Sequence, residues 1–184
     1  MVKTLYMIGG TMGVGKTTVC QQLKRDLQNS VFLDGDWCWD ANPFQVNDET
    51  KAMVTNNICY LLNNFLKCSA YDNIIFCWVM HEQSIIDSIL EKLDTQNCEV
   101  KCISLVADEK TLCERLSMDV ERGIRSEDVI ERSIARIPMY QALNTVEIVN
   151  VKNLEYVSRL SGTLSGIVTY FFLRAQDDCI LFRG

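Results

Sequence analysis

Short, almost wholly apolar runs alternate with longer segments in which apolar residues recur every three or four positions along the 184-residue chain. A run without a polar side predicts a strand buried on both faces, as in the middle of a parallel sheet. Asn73–Met80 has this property, and the other strand-like segments are Lys3–Gly9, Ser30–Asp34, Cys98–Val106 and Thr145–Val151. Five strands are therefore predicted.

The stretches between these runs have helical spacing and predict helices. Asp108 and Ser126 are good N-cap residues for two of them, and Pro138 is expected to kink or end the second. The predicted helices are Thr17–Gln28, Asp48–Lys67, Gln83–Leu93, one from Asp108 toward Arg122, one after Ser126, and Leu154–Leu173. Strict alternation of strands and helices predicts parallel α/β architecture. No repeat or linker interrupts it, so we expect a single three-layer domain over residues 1–184.

Composition narrows the class of protein. The chain has 48% hydrophobic and 23% charged residues and a formal charge of −6, so no general nucleic-acid surface is expected. Neither a signal-peptide pattern nor a membrane-length apolar run is present, which favours a cytoplasmic protein without membrane association.

The nine cysteines are scattered singly and are interpreted as reduced, mostly buried small hydrophobes. A metal site at Cys98 and Cys102 is the less favoured alternative. Oligomeric state is not indicated.

The first strand leads into Gly10-Thr-Met-Gly-Val-Gly15-Lys16-Thr17, which has the phosphate-loop pattern G-x-x-x-x-G-K-[ST]. Glycines let main-chain N–H groups close around an anion, and the start of the following helix adds its positive dipole end. Lys16 supplies a charge to the β- and γ-phosphates, and the Thr17 hydroxyl is a ligand for Mg²⁺. The pattern predicts that a nucleoside triphosphate is bound by Gly10, Met12, Gly13, Val14, Gly15, Lys16, Thr17 and Thr18. The alternative is a glycine-rich turn that binds no phosphate.

Two carboxylates, Asp34 and Asp36, follow the second strand at the edge of the sheet where the phosphate loop lies. Side chains two residues apart on an extended chain point the same way. Asp34 is expected to support Mg²⁺ together with Thr17. Asp36, with an unperturbed pKa near 4, is expected to accept the proton of an acceptor hydroxyl or to orient that hydroxyl. The alternative is a turn in which the aspartates are only hydrogen-bond acceptors.

The phosphate loop together with Leu33-Asp34-Gly35-Asp36 resembles the nucleoside-monophosphate-kinase-like branch of P-loop proteins. That branch includes adenylate, shikimate and gluconate kinases and chloramphenicol phosphotransferase. The resemblance implies a five-stranded parallel sheet in the order 2-3-1-4-5 with helices on both faces. The Asp-Gly-Asp and the later Pro43 are most similar to gluconate kinase, but that kinase's downstream lid sequence is not evident. The glycine run of shikimate kinase after strand three is also absent, so the acceptor stays open.

An arginine series resembles the helix–lid–helix of the same branch; its members are Arg115, Arg122, Arg125, Arg132 and Arg136. The resemblance implies a lid at about residues 119–137, with Gly123 as a hinge. It also implies that Arg115 stacks on the adenine, while Arg122, Arg125 and Arg136 are catalytic groups that act on the transferred phosphate. The alternative is that these arginines form surface ion pairs with neighbouring acids, which contribute little to stability.

The resemblance implies an ATP- and Mg²⁺-dependent phosphotransferase that moves the γ-phosphate to a small-molecule acceptor, which is a nucleotide, sugar acid, antibiotic or other metabolite. The second hypothesis is a nucleotide-binding ATPase or switch without such an acceptor. A kinase of nucleic-acid ends is disfavoured by the net charge. His81 either contacts the acceptor or has a capping or surface role. The aromatic residues either line a cavity for a flat or apolar acceptor or pack in the core and rim; they are Trp37, Trp39, Phe44 and Trp78.

Overall fold

The structure, a computed structural model, describes residues 2–145 and the backbone of residues 147–150. Its centre is a parallel sheet in which β1 pairs with β3 and β4, and β2 pairs with β3. A short strand at the far edge, β5, pairs with β4, so that the order is β2-β3-β1-β4-β5. The strands are β1 (Lys3–Gly10), β2 (Ser30–Asp34), β3 (Asn73–Trp78), β4 (Cys98–Val106) and β5 (Glu147–Asn150). The predicted α/β class with a parallel sheet is confirmed.

Within the described part of the chain, five α-helices lie between the strands: α1 (Lys16–Asp26), α2 (Asp48–Lys67), α3 (Gln83–Leu90), α4 (Glu109–Glu121) and α5 (Val129–Gln141). The cap predicted at Asp108 is present, because its carboxylate accepts the N–H of Thr111 at 2.8 Å. At the start of α2, Asn47 and Thr50 each accept the other's backbone N–H through a side-chain oxygen. The helix predicted over Leu154–Leu173 lies outside the described residues.

The beginning of α5 differs from the prediction. Its N-cap is Asp128 rather than Ser126, because the Ser126 hydroxyl donates to the Asp128 carboxylate while the Ser126 carbonyl closes a turn with the N–H of Val129. Pro138 does not end the helix, which continues to Gln141. A proline this close to the C-terminus removes one backbone hydrogen bond of the last turns, and the helix tolerates the loss.

Alternate residues of the central strand β1 enter two hydrophobic cores. Tyr6 and Ile8 face a core that includes residues of α1 and α4, whereas Leu5 and Met7 face a core built with α2 and α3. Burial on both faces explains why the central strands read as continuous apolar runs. Within the part of the chain that the structure describes, no helix is both long and apolar enough to span a membrane.

The cysteines follow the predicted pattern in part. Cys20, Cys59 and Cys77 are free and buried, and the other cysteines within the described residues are free and half-buried. Burial raises the pKa of the Cys98 and Cys102 thiols, which keeps both protonated rather than ready to bind a metal. Among the residues described, no group of three or more His, Cys, Asp or Glu side chains is arranged to hold a metal ion.

Candidate active site

The phosphate loop joins β1 to α1 at the carboxyl edge of the sheet. Gly13 and Gly15 have positive φ angles of 78° and 104°, which side chains rarely tolerate. A Cβ on Gly13 would lie 2.7 Å from the Leu116 side chain of α4, so the loop is packed closely on that side. A Cβ on Gly15 would meet nothing within 4 Å. The phosphate loop therefore packs against α4 at Gly13 and has open space at Gly15.

Lys16 is held across the mouth of this loop. Its Nζ donates to the carbonyl oxygens of Gly10 at 2.9 Å and Thr11 at 3.0 Å. Burial lowers the pKa of Lys16, while nearby Cys77, Asp36 and Asp34 oppose this change and Arg125 adds to it. The lysine charge is thus bound by the loop carbonyls and lies within the electrostatic reach of Asp34 and Asp36.

Asp34 contacts the phosphate loop directly. Its Oδ2 accepts the Thr17 hydroxyl at 2.7 Å, and the residue is only 5% exposed. Its Oδ1 accepts the N–H of Asp36 at 3.1 Å and caps a short 3-10 turn over Gly35–Cys38. The two aspartates therefore lie across a turn and not along an extended strand, which corrects the assumption behind the sequence argument. The structure therefore contains both the turn of the alternative interpretation and the proximity of Asp34 to Thr17 that the metal-supporting role requires.

The turn depends on a close approach between Gly35 and Trp78. A Cβ on Gly35 would lie 2.5 Å from the indole ring, so only glycine fits there. The Trp78 side chain also interacts with the Asp36 carboxyl group. The surrounding protein and the Asp34 carboxylate raise the pKa of Asp36, although solvent reaches this residue, and Lys16, Trp78 and Arg125 act in the opposite direction. The expectation of an unperturbed pKa for Asp36 is wrong, because burial by the surrounding protein, and then the nearby Asp34 carboxylate, raise this pKa.

The arginines of the series have different surroundings. Arg115 donates to the Val14 carbonyl at 3.0 Å, which places its guanidinium against the phosphate loop. Arg125 pairs with Asp119 at 3.2 Å while its charge still acts on Lys16 and Asp36. Arg136 is half-buried near His81. Arg122 is exposed at the C-cap of α4, and Arg132 pairs with Asp128 at 2.8 Å. Arg125 and Arg132 therefore form the surface ion pairs of the alternative interpretation. Arg115 contacts the phosphate loop, and the charge of Arg125 acts on Lys16 of that loop.

Tyr140 is a residue that the sequence analysis missed. It is completely buried on α5, and its hydroxyl donates to the Gly10 carbonyl at 2.9 Å. Burial raises the pKa of Tyr140, so the hydroxyl keeps its proton. A tyrosine on an amphipathic helix, 130 residues from its acceptor, gives no signal in the sequence that would reveal this contact.

His81 follows β3 at the same edge of the sheet. Its side chain is 19% exposed, and its Nε2 lies 3.6 Å from a Glu82 carboxylate oxygen. Burial and the charge of Arg136 lower the pKa of His81, against the opposite effect of Glu82 and of a backbone hydrogen bond with Val79. The imidazole is therefore mainly neutral near pH 7.

The aromatic residues divide between packing and exposure. Trp37 turns toward Phe32, with ring centroids 5.2 Å apart, and stays 59% exposed. Trp39 packs on the core beside α2, and its ring lies 4.6 Å from that of Phe44. Phe44 is 59% exposed. Trp39 and Phe44 thus continue outward from the turn that carries Asp36, whereas Trp78 supports the turn itself.

Comparison with known proteins agrees with this description. Residues 7–135 match the model of a family described as AAA domain. The chain is similar to a gluconokinase from Sinorhizobium meliloti 1021, with 14% identity, TM-score 0.62, and coverage of 100% of this chain and 99% of that one. It is similar to the Deinococcus radiodurans tunicamycin resistance protein, with 14% identity, TM-score 0.62 and 95% coverage of both chains. It is also similar to a fungal RNA kinase, with 15% identity, TM-score 0.52, and coverage of 95% and 96%. No curated protein matches the sequence. At sequence identities of 14–15%, similarity to these solved structures shows a shared fold and not a shared activity.

Proposed function

The chain belongs to the AAA domain family of P-loop proteins, and from that premise we propose that it is a kinase that transfers the γ-phosphate of ATP to a hydroxyl of a small molecule. The observation that carries this proposal is the meeting of Lys16, Thr17, Asp34 and Asp36 at one edge of the sheet. Phosphoryl transfer requires mainly positioning and stabilisation of charge, which such a cluster can supply.

The phosphate loop fits a triphosphate. The space next to Gly15 is open. Lys16 Nζ can reach an anion there if it breaks its hydrogen bonds to the carbonyls of Gly10 and Thr11. Loop amides and the first turn of α1 supply further donors to phosphate oxygens. The residues proposed for this role are Gly10, Met12, Gly13, Val14, Gly15, Lys16, Thr17 and Thr18, with Arg115 beside the loop on the adenine side.

The oxygens of Thr17 and Asp34 fit Mg²⁺. They are hard donors within 2.7 Å of each other, and Asp34 is buried at the end of β2. An ion held there would supply positive charge to offset the negative charge of the phosphates during transfer. Thr17 would hold the ion directly and Asp34 would orient its ligands, since the carboxylate already fixes the Thr17 hydroxyl.

Asp36 is the proposed base. The residue is exposed to solvent and lies within the electrostatic reach of Lys16. It can therefore accept the proton of an acceptor hydroxyl or fix the direction of that hydroxyl. A raised pKa makes Asp36 a better proton acceptor than an ordinary aspartate, provided that it is still ionised at working pH.

The segment of about residues 119–137 is the proposed lid within a single domain that spans the chain. Arg125 is the best placed of its arginines, because its charge already acts on Lys16 and Asp36. To reach a phosphate it has to leave Asp119, and lid closure would drive that exchange. Arg122, at the C-cap of α4, and Arg136, on α5, are proposed to approach from opposite ends of the lid.

A small-molecule acceptor is favoured over RNA for a physical reason, although one similar structure is an RNA kinase. The chain carries a formal charge of −6, and binding to nucleic acid depends on basic surface. The gluconokinase has a small-molecule acceptor in its name, which supports the same choice.

An ATP-consumption screen tests the proposal. Purified protein with Mg²⁺ and ATP is incubated with a library of hydroxyl compounds and antibiotics, and acceptor-free hydrolysis is the baseline. We expect at least one acceptor to raise turnover strongly, and Lys16→Ala to remove this turnover while the circular dichroism spectrum stays unchanged. Lys24→Ala, in an exposed part of α1, is the matched control. Hydrolysis that responds only to a protein partner would instead indicate a switch.

A further inference from the structure

The chain that leads away from Asp36 carries negative charge and no positive charge. Between Arg25 and Lys51 the sequence contains no lysine, arginine or histidine. Lys51, the first cation after this gap, pairs with Asp48 at 3.8 Å. The carboxylates after β2 in this stretch are Asp36, Asp40, Asp48 and Glu49. A phosphate or carboxylate on an acceptor held here would find repulsion and no counter-ion.

The same stretch exposes apolar side chains beside Asp36. The backbone N–H of Trp39 donates to the Asp36 carbonyl at 3.2 Å, which holds both residues in one short turn. Phe44 extends this apolar face outward from Trp39, and it is followed by Val46, which is 61% exposed. Asn57 of α2 donates to the Cys38 carbonyl at 3.3 Å and ties the turn to the helix. We call Trp39, Phe44 and Val46 the apolar patch.

Three of the nearby cations already have partners on the phosphate-loop side, and a fourth, Arg136, lies near His81 and Tyr140 on α5. Lys16 donates to two loop carbonyls, Arg115 donates to Val14, and Arg125 pairs with Asp119. His81, at the end of β3, is mainly neutral for the reasons given above. The stretch of residues 26–50, which carries the patch, therefore offers no arginine for bidentate recognition of an anionic acceptor.

We infer that the acceptor is a hydroxyl compound without a phosphate or carboxylate, and that it places an aromatic or other flat apolar part on the apolar patch while its hydroxyl reaches Asp36. This inference rests on the proposed phosphotransfer and specifies its substrate class. Nucleoside monophosphates and sugar acids, which are anionic, are therefore expected to be poor acceptors, and uncharged or cationic hydroxyl compounds to be good ones. In the reaction the hydroxyl oxygen forms the new bond to the γ-phosphorus, ADP leaves, and the hydroxyl proton passes to Asp36.

Matched pairs of acceptors test the inference. Uridine is compared with uridine monophosphate, and phenyl glucoside with phenyl glucuronide, in the ATP-consumption assay. We expect kcat/KM to be at least about tenfold higher for the uncharged member of a pair. Tryptophan fluorescence, measured with a non-hydrolysable ATP analogue, should change on addition of the same member and so reports binding without turnover.

Substitutions in the patch supply the second arm. Phe44→Ala should raise the KM of the acceptor roughly five- to tenfold, with little change in kcat or in the KM of ATP. Tyr60→Ala is the matched control, because Tyr60 is 70% exposed on α2 and lies outside the patch. Asp40→Lys should reduce the preference for the uncharged member, since it adds a cation to a stretch that has none.

The outcomes separate the two proposals. Faster turnover of the anionic members would overturn the inference and leave the kinase in place. An unchanged acceptor KM in Phe44→Ala would also overturn it, and so would sedimentation data in which Phe44→Ala dissociates a dimer, because the patch would then be an interface between two copies. Absence of turnover with any acceptor of either class would remove the proposed function, and the inference with it.

Discussion

Two aspartates separated by one glycine have different environments at the residue scale. Asp34 is buried, and each of its carboxylate oxygens has a partner, the Thr17 hydroxyl and the Asp36 N–H. Asp36 is open to solvent and has a raised pKa. The turn between them produces this difference, because it leaves one carboxylate against the phosphate loop and directs the other outward. A division into a metal-supporting and a proton-accepting carboxylate follows from this geometry.

Replacing Asp36 by Asn should lower kcat strongly while the affinity for ATP changes little, because the shape is kept and the charge is lost. Wild-type kcat should fall as the pH is lowered, with a midpoint above that of an ordinary aspartate, since the pKa of Asp36 is raised. The substitution should remove this acidic limb. Steady-state kinetics across pH measures both effects, and an unchanged kcat would reduce Asp36 to a turn residue.

Asp36→Asn should lower activity but raise the stability of the folded protein at neutral pH. A carboxyl group whose pKa is higher in the folded than in the unfolded protein favours the protonated form on folding. The wild type therefore loses stability as the pH rises above about 4, the ordinary value for Asp. Asp36→Asn should be more stable than wild type at neutral pH and lose this advantage below that pH. Urea unfolding at several pH values measures it, with Asp40→Asn as an exposed control.

Asp34→Asn should raise the Mg²⁺ concentration needed for half-maximal activity. The amide keeps one oxygen, so it can hold Thr17 or the Asp36 N–H as an acceptor, but it removes the negative charge that favours a divalent cation. Titration of activity with Mg²⁺ at saturating ATP measures the shift. An unchanged Mg²⁺ requirement together with a lowered kcat would exchange the roles proposed for the two aspartates.

At the scale of elements, the α4–α5 hairpin illustrates what local sequence determines. Gly123 ends α4 with φ of 68°, and the N–H groups of Gly123 and Ile124 bond to the carbonyls of Val120 and Asp119. This is a Schellman motif, which a glycine after a helical pattern predicts well. The start of α5 is less predictable, because Ser126 and Asp128 are both good caps and the side-chain bond between them decides which one is used.

Residues 121–128 should be the most rapidly exchanging internal segment of the free protein and should become protected when a non-hydrolysable ATP analogue and the acceptor bind together. Every residue in this stretch is exposed, so its backbone amides open at low cost. Closure of a lid would bring Arg125 from Asp119 to a phosphate. Hydrogen exchange with mass spectrometry measures protection, and the exposed start of α2 is the internal control. Equal exchange with and without ligands would contradict a lid.

At the scale of the whole molecule, the parallel sheet and the phosphate loop were predictable from the sequence. Continuous apolar runs reflect burial on both faces of strands such as β1, and the loop glycines reflect a local backbone requirement. What could not be predicted depends on distant partners. The turn after Asp34 needs Gly35 against Trp78, the pKa of Asp36 depends on surroundings assembled by folding, and the Tyr140 contact spans most of the chain.

The Tyr140 contact gives a prediction about how nucleotide binding stabilises the molecule. The Gly10 carbonyl accepts both the Tyr140 hydroxyl and Lys16 Nζ, each at 2.9 Å. If Lys16 moves to a phosphate, Tyr140 still satisfies this carbonyl at the base of the loop. Mg²⁺–ATP at about 100 times its Kd should then add about 2.7 kcal/mol to the free energy of unfolding. For a chain of this size that corresponds to an increase in Tm of roughly 5–10 °C.

Tyr140→Phe should make this increase smaller, because Gly10 loses both donors when the nucleotide binds, and a hydrogen bond that is lost from a buried group costs roughly 1–3 kcal/mol. Lys16→Ala should abolish the increase through the lost phosphate contact, although Tyr140 stays in place. Thermal unfolding of the three proteins with and without Mg²⁺–ATP distinguishes these cases. An equal shift in Tyr140→Phe and wild type would mean that Lys16 stays on the Gly10 carbonyl when nucleotide binds, and that α5 supports the loop only by packing.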